Sequence, residues 1–130
     1  MEATVKWQGD MRFEGTTDSG FTSIMDGDGK AISPMESVLV AAGACSSVDV
    51  VEILKKSRID LQACRCELTA KRAETAPRVF TNIHAHFVVS GENIKDKQLA
   101  RAVELSAEKY CSVLLMLIGK VDLTTSYAVE

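Results

Sequence analysis

A surplus of basic charge is missing from this sequence: 15 Lys and Arg stand against 18 Asp and Glu, for a net charge of −3 and a pI near 5.4. Neither phosphate backbones nor acidic lipids are attracted to such a surface, which argues against binding to nucleic acid or an anionic membrane. The first residues, Met1 to Trp7, lack the basic and apolar regions of a secretory signal. The longest uninterrupted apolar run, Val38 to Cys45, falls well short of the ~20 residues of a membrane span. Repeats, linkers and low-complexity segments are missing as well. These absences point to a cytoplasmic protein. In that reducing compartment the four cysteines are core residues, metal ligands or redox groups rather than a disulfide framework.

What is present is an ordinary globular composition, 46% apolar and 25% charged, in a length that fits one domain over residues 1–130 with a real core. Residues 1–7 alternate, with Ala3, Val5 and Trp7 on one face. Turns at Gly9-Asp10 and Asp18-Ser19-Gly20 separate this strand from short strands at 11–15 and 21–25, an antiparallel meander. The loop Asp26-Gly27-Asp28-Gly29 lacks the further ligands and distant Glu of a calcium loop and reads as a plain turn. Beyond it lies the stretch that organises the chain. Ser33 followed three residues later by Glu36, with Pro34 between, is a capping-box start for a helix. If continuous to Arg58, its 26 residues form a rod of ~39 Å. From Val38 to Leu54 it is apolar on nearly every side, so it needs cover that one small chain does not easily supply. Cys45 sits near its middle among Ala41, Ala42, Gly43, Ala44, Ser46 and Ser47, small neighbours that leave space beside the sulfur. Gly43 implies a close approach or a helix break.

Further along, Leu61–Lys71 and Val79–Val89 read as a hairpin around Pro77. Asp96–Ser106 has helical spacing, Ser106 to Lys109 looks like a second cap, and a new helix starting near Tyr110 carries Cys111 to Ile118 until Gly119 ends it. Val121–Val129 is a final strand. The hairpin holds an apparent metal set, Cys64-x-Cys66 and His84-x-His86, whose ligand types suit zinc. Strict alternation argues against it: Cys64, Cys66 and Leu68 share the apolar face with Ala85 and Phe87, while His84 and His86 fall on the other with Arg65 and Glu67. No metal ligand set is assigned on that ground.

Cys45 and Cys111 remain, each on a helix. A thiol at a helix N-terminus has a lowered pKa, which Cys45 reaches if Gly43 interrupts its helix and Cys111 reaches if the chain breaks at 106–108. The alternative is that both are small core residues. Asp49, one turn after Cys45, shares its face; a carboxylate there raises the thiol pKa unless a cation pairs with it.

The segments Ser33 to Asp49 and Glu108 to Val113 together resemble the OsmC/Ohr superfamily, most of all its YhfA-type branch. The resemblance covers essentially the whole chain. It implies an α+β, OsmC-like fold: an N-terminal antiparallel meander, a long central cysteine-bearing helix, a hairpin, a second cysteine-bearing helix and a C-terminal strand, assembled as an intertwined homodimer. The activity implied is a thiol peroxidase that reduces small organic hydroperoxides in oxidative-stress defence, with a dithiol reductant such as lipoyl groups and no metal or organic cofactor. By position Cys45 matches the peroxidatic cysteine and Cys111 the resolving one. The family also uses an arginine and a glutamate to hold the thiolate and orient the peroxide, and Arg12 and Glu36 are the matching candidates. In Ohr-type proteins the glutamate directly follows the proline, where this chain has Met35. On an unbroken helix the nine residues from Glu36 to Cys45 turn ~900°, placing them on opposite faces and ~13 Å apart along the axis. A second reading, which Met35 favours, is a non-catalytic binding or redox-sensing dimer whose apolar interface pocket Cys45 lines.

Overall fold

Alternating Ala3, Val5 and Trp7 do form a strand. The computed structural model, which describes all of residues 1–130, pairs β1 (Ala3–Trp7), β2 (Arg12–Thr17) and β3 (Thr22–Asp26) as an antiparallel sheet in that order. The register sets Val5 opposite Gly15 and Trp7 opposite Phe13, which in turn faces Met25. One face of this sheet is therefore apolar, yet Val5 and Trp7 stay 67% and 68% exposed.

The capping box works as its spacing predicts. The Glu36 N–H donates to Ser33 Oγ at 3.1 Å, and the Ser33 N–H donates to Glu36 Oε2 at 3.1 Å. Helix α1 (Pro34–Lys56) follows without interruption, so the break entertained at Gly43 does not occur. Its end is closed by Arg58 at φ +62°. There the Arg58 and Ile59 N–H groups donate to the Lys55 and Leu54 carbonyls at 2.9 and 3.2 Å, a Schellman closure with Ile59 packed beside the core. By length and composition alone α1 is long and apolar enough to cross a membrane, which the run-length argument from Val38 to Cys45 did not register. The core helix of a soluble protein meets the same test, and Ala42, Gly43, Ser46, Val50 and Leu54 are buried.

By its contacts the chain divides into two compact units, Met1–Val38 and Leu39–Glu130. In the second, β4 (Asp60–Arg72) and β5 (Phe80–Glu92) make the expected hairpin, and β6 (Asp122–Val129) lies parallel to β5, giving the order β4-β5-β6. A parallel neighbour requires a crossover. Helix α2 (Asp96–Leu105), a π-helical turn (Ser106–Tyr110) and helix α3 (Ser112–Leu117) supply it. The core joins Val50 and Leu54 of α1, Leu99, Ala102 and Val103 of α2, and Ala85, Phe87 and Val89 of β5. Cys64 pairs with Val89 and Cys66 with Phe87, while Glu67 pairs with His86 and Thr69 with His84. Cysteines and histidines thus lie on opposite faces of the sheet, as alternation requires.

Two expectations about the second half need correction. The segment 106–109 is not a cap, because Ser106–Tyr110 continues α2 as a wider π turn. The new helix starts at Ser112 rather than near Tyr110. At Gly43 the expected close approach is present, made by Leu68 of β4. A Cβ there would sit 2.5 Å from Leu68 Cδ1, so the missing side chain is what lets α1 approach β4.

Candidate active site

Two segments far apart in sequence bring the thiols together. Ala42 and Cys45 lie one turn apart on α1, Cys111 ends the π turn, and Leu114 belongs to α3. These four share one apolar cluster with Ala107, Val113 and Leu123 around it. Cys111 is fully buried and Cys45 half-buried, and all four cysteines of the chain are free thiols. Because α1 is continuous, Cys45 sits in mid-helix and gains nothing from a helix N-terminus. Cys111 instead is the N-cap of α3: its backbone turns extended (φ −70°, ψ 106°) and its Sγ accepts a 3.5 Å hydrogen bond from the Leu114 N–H.

The electrostatics separate the two sulfurs. Burial, reinforced by a hydrogen bond and charge from Cys45, pushes the Cys111 thiol up to about 11 against the opposing pull of the Leu114 N–H. At neutral pH Cys111 therefore stays a thiol. Burial first, and then the charge of Cys64, raises Cys66 to about 11 although Ser47 donates to it, and burial raises Cys64 too. Both read as inert, half-buried thiols.

Ser106 is the residue that sequence reasoning missed. It is completely buried, and its Oγ lies 2.9 Å from Asp49 Oδ2 and 3.2 Å from the Ser46 carbonyl. One hydroxyl thus ties the α1 turn carrying Cys45 to the π turn carrying Cys111. The same bond assigns Asp49 a partner, a hydroxyl rather than a cation. The signal in the sequence was a serine at the end of a regular helical pattern, which reads equally well as a cap.

A cavity of about 330 Å³ is lined by Ile83, Ala85, Leu114, Ile118 and Leu123 together with Glu108, and neither Cys45 nor Cys111 is among its lining residues. It shares Leu114 and Leu123 with the thiol cluster. The other two sequence candidates, Glu36 and Arg12, belong to the Met1–Val38 unit. Glu36 closes the capping box on the face of α1 opposite Cys45. Arg12 is an exposed residue of β2, paired across the strands with Asp26, in the Met1–Val38 unit.

Comparison with known proteins gives this arrangement a context. The family profile described as "OsmC-like protein" matches residues 27–126. Protein YhfA of Escherichia coli (strain K12) is 54% identical over 131 aligned positions, covering 99% of this chain and 98% of that protein. A solved structure of a hypothetical protein from Aquifex aeolicus VF5 superposes with a TM-score of 0.91 at 36% identity, covering 99% of this chain and 95% of that one. An organic hydroperoxide resistance protein OsmC from Legionella pneumophila shares the fold, with a TM-score of 0.75 at 17% identity and coverage of 99% and 98%. With a meander, a long cysteine-bearing helix, a hairpin and a second cysteine at a helix start all in place, the chain belongs to the OsmC-like protein family.

Proposed function

We propose that this protein is a thiol peroxidase for small organic hydroperoxides, working in oxidative-stress defence. The observation that carries this reading is the meeting of Cys45 and Cys111 in one apolar cluster. The Cys45 thiolate attacks the distal peroxide oxygen. The O–O bond breaks, the alkoxide leaves and takes a proton as the alcohol, and Cys45 becomes a sulfenic acid, oxidised by two electrons. The Cys111 sulfur then attacks the Cys45 sulfur, an S–S bond forms and water leaves. A dithiol such as a dihydrolipoyl group reduces that disulfide by exchange and restores both thiols. The cavity of about 330 Å³, which shares Ala107, Leu114 and Leu123 with the thiol cluster, is mostly apolar, which suits the organic part of such a peroxide.

The reading includes a homodimer in a cytoplasmic setting. Val40 and Val48 of α1 are 55% and 58% exposed, and the β1–β2 face exposes Val5 and Trp7. Apolar surface of this kind is a docking face. Since α1 is unbroken, Glu36 meets a thiol only across such a dimer, and Arg12 is the candidate for the arginine that orients peroxide. Consumption of cumene hydroperoxide with dihydrolipoamide tests the proposal. Turnover by the wild type that disappears in Cys45→Ser supports it; an inactive wild type, or an unaffected Cys45→Ser, overturns it. The second reading, a binding or redox-sensing module, has the same cavity in its favour and Met35 in place of the Ohr-type glutamate. It requires saturable apolar-ligand binding with no peroxide turnover.

A further inference from the structure

The outward face of the β4-β5-β6 sheet carries a side-chain cluster unrelated to the thiols. His84 and His86 project from the same face of β5, two residues apart, and both rings turn toward β6. His84 Nε2 lies 2.8 Å and His86 Nδ1 2.7 Å from one atom, Ser126 Oγ. The other nitrogen of His84, Nδ1, lies 2.6 Å from Thr124 Oγ1. Glu67 stands across the strand from His86 on the same face, near enough that the imidazole helps, after its Arg65 partner, to lower the carboxyl pKa. A shallow hollow of about 240 Å³ opens beside His84, lined by Thr69, Asn82, Asp122 and Thr124.

Two imidazole nitrogens aimed at one point form a chelate. His84 Nδ1 pairs with Thr124 Oγ1, the kind of outer partner a ligating histidine ordinarily has; in the tautomer where Thr124 takes the Nδ1 N–H, the Nε2 lone pair is the one that faces the metal. We propose that His84 Nε2 and His86 Nδ1 together bind a borderline divalent transition-metal ion of the zinc, nickel or copper class on the outward face of this sheet. Imidazole donors favour these ions over magnesium or calcium. Ion-to-nitrogen distances of ~2.0–2.1 Å require each ring to close by ~0.7 Å onto the point now held by Ser126 Oγ, while that hydroxyl turns aside. Water or a small anionic ligand completes the coordination from the hollow. The four-ligand site suggested by Cys64, Cys66, His84 and His86 is sterically impossible, since the cysteines face the other way; the histidines alone make a two-nitrogen site.

The chain has two histidines in all, so the imidazole ring resonances in a nitrogen–proton NMR spectrum report this site without background, whatever the cysteines bind. Zinc chloride, which does not oxidise thiols, is titrated into the full-length protein. Both rings are expected to shift together and saturate at one ion per chain. His84→Ala and His86→Ala should each weaken the response of the remaining ring at least about tenfold, because loss of even an outer-shell partner costs that much. Ser126→Ala removes a hydroxyl contact from each ring but no nitrogen donor, and should retain saturable binding. Rings that do not respond, a response without saturation, or an unchanged affinity at His86 in His84→Ala each overturn the chelate. None of these results bears on the peroxidase reading, which is tested at Cys45.

Discussion

From complete burial, the Ser106 hydroxyl lies 2.9 Å from the Asp49 carboxylate, joining residues 57 positions apart in the sequence. That bond clamps the π turn onto α1 between the two cysteines. A hydrogen bond to a charged partner is worth about 1.5–3 kcal/mol, and removing one member leaves the other unsatisfied. Ser106→Ala should lower the stability of the reduced protein by that amount in urea unfolding. It should also slow formation of the Cys45–Cys111 disulfide after one equivalent of hydroperoxide, read by quenched mass spectrometry. Unchanged stability would show that water replaces the hydroxyl.

The resolving role of Cys111 has its own signature. With one equivalent of peroxide the wild type should lose two thiols and gain one Cys45–Cys111 disulfide. Cys111→Ser should instead accumulate sulfenic acid at Cys45 and pass to sulfinic acid under excess peroxide. A disulfide from Cys45 to Cys66 in that variant would overturn the assignment of Cys66 as inert.

Alkaline pH should weaken the fold. The usual thiol value is 9.0, while burial, ahead of all other causes, raises both Cys111 and Cys66 to about 11 in the folded chain. Between these values the unfolded chain has released protons that the native chain still holds, so unfolding becomes more favourable as pH rises. The contribution is intact below pH ~9 and lost as pH climbs toward 11. Urea midpoints compared at pH 8 and 10.5 in Cys66→Ala and wild type should show a flatter decline in the variant. A parallel decline would sink the attribution to Cys66.

Glu36 permits capping and catalysis to be separated. Ser33→Ala should cost about 0.5–2 kcal/mol through the lost cap. Glu36→Gln keeps an acceptor for the Ser33 N–H and should stay within about 0.5 kcal/mol of wild type. If the carboxylate orients peroxide across the dimer, Glu36→Gln still lowers turnover. Full turnover would leave Glu36 as a cap alone.

At the other end of α1, Arg58 holds φ +62°, a conformation that costs a residue with a Cβ about 1–2 kcal/mol. Arg58→Gly should therefore stabilise the protein, after the greater unfolded-state freedom of glycine takes back about 0.5–1 kcal/mol. A loss of stability in urea unfolding would mean that the Arg58 side chain contributes more than its backbone strain costs. Gly43 tests the opposite case. Gly43→Val drives a branched side chain into Leu68 and should cost about 1–3 kcal/mol.

Local rules account for much of what was legible in the sequence. The Ser33–Glu36 box, the alternation that separates cysteines from histidines and the hairpin around Pro77 depend on neighbours a few residues apart. Their geometry follows from the periods of helix and strand. The end of α2 was misread because a π turn and a capped restart share the same polar residues, Ser106 and Glu108. Only the packing of Ser106 against Asp49 and the Ser46 carbonyl distinguishes them.

Sequence alone thus determined the order of elements, the long apolar helix with Cys45 in its middle, and the family. Tertiary structure decided that Cys45 meets Cys111, that burial raises the Cys111 thiol pKa although its sulfur is an N-cap, and that Leu68 rather than a ligand fills the space at Gly43. Each of these depends on burial and on contacts between distant segments. Desolvation and close approach are set by what packs against a residue, and no local pattern encodes that partner.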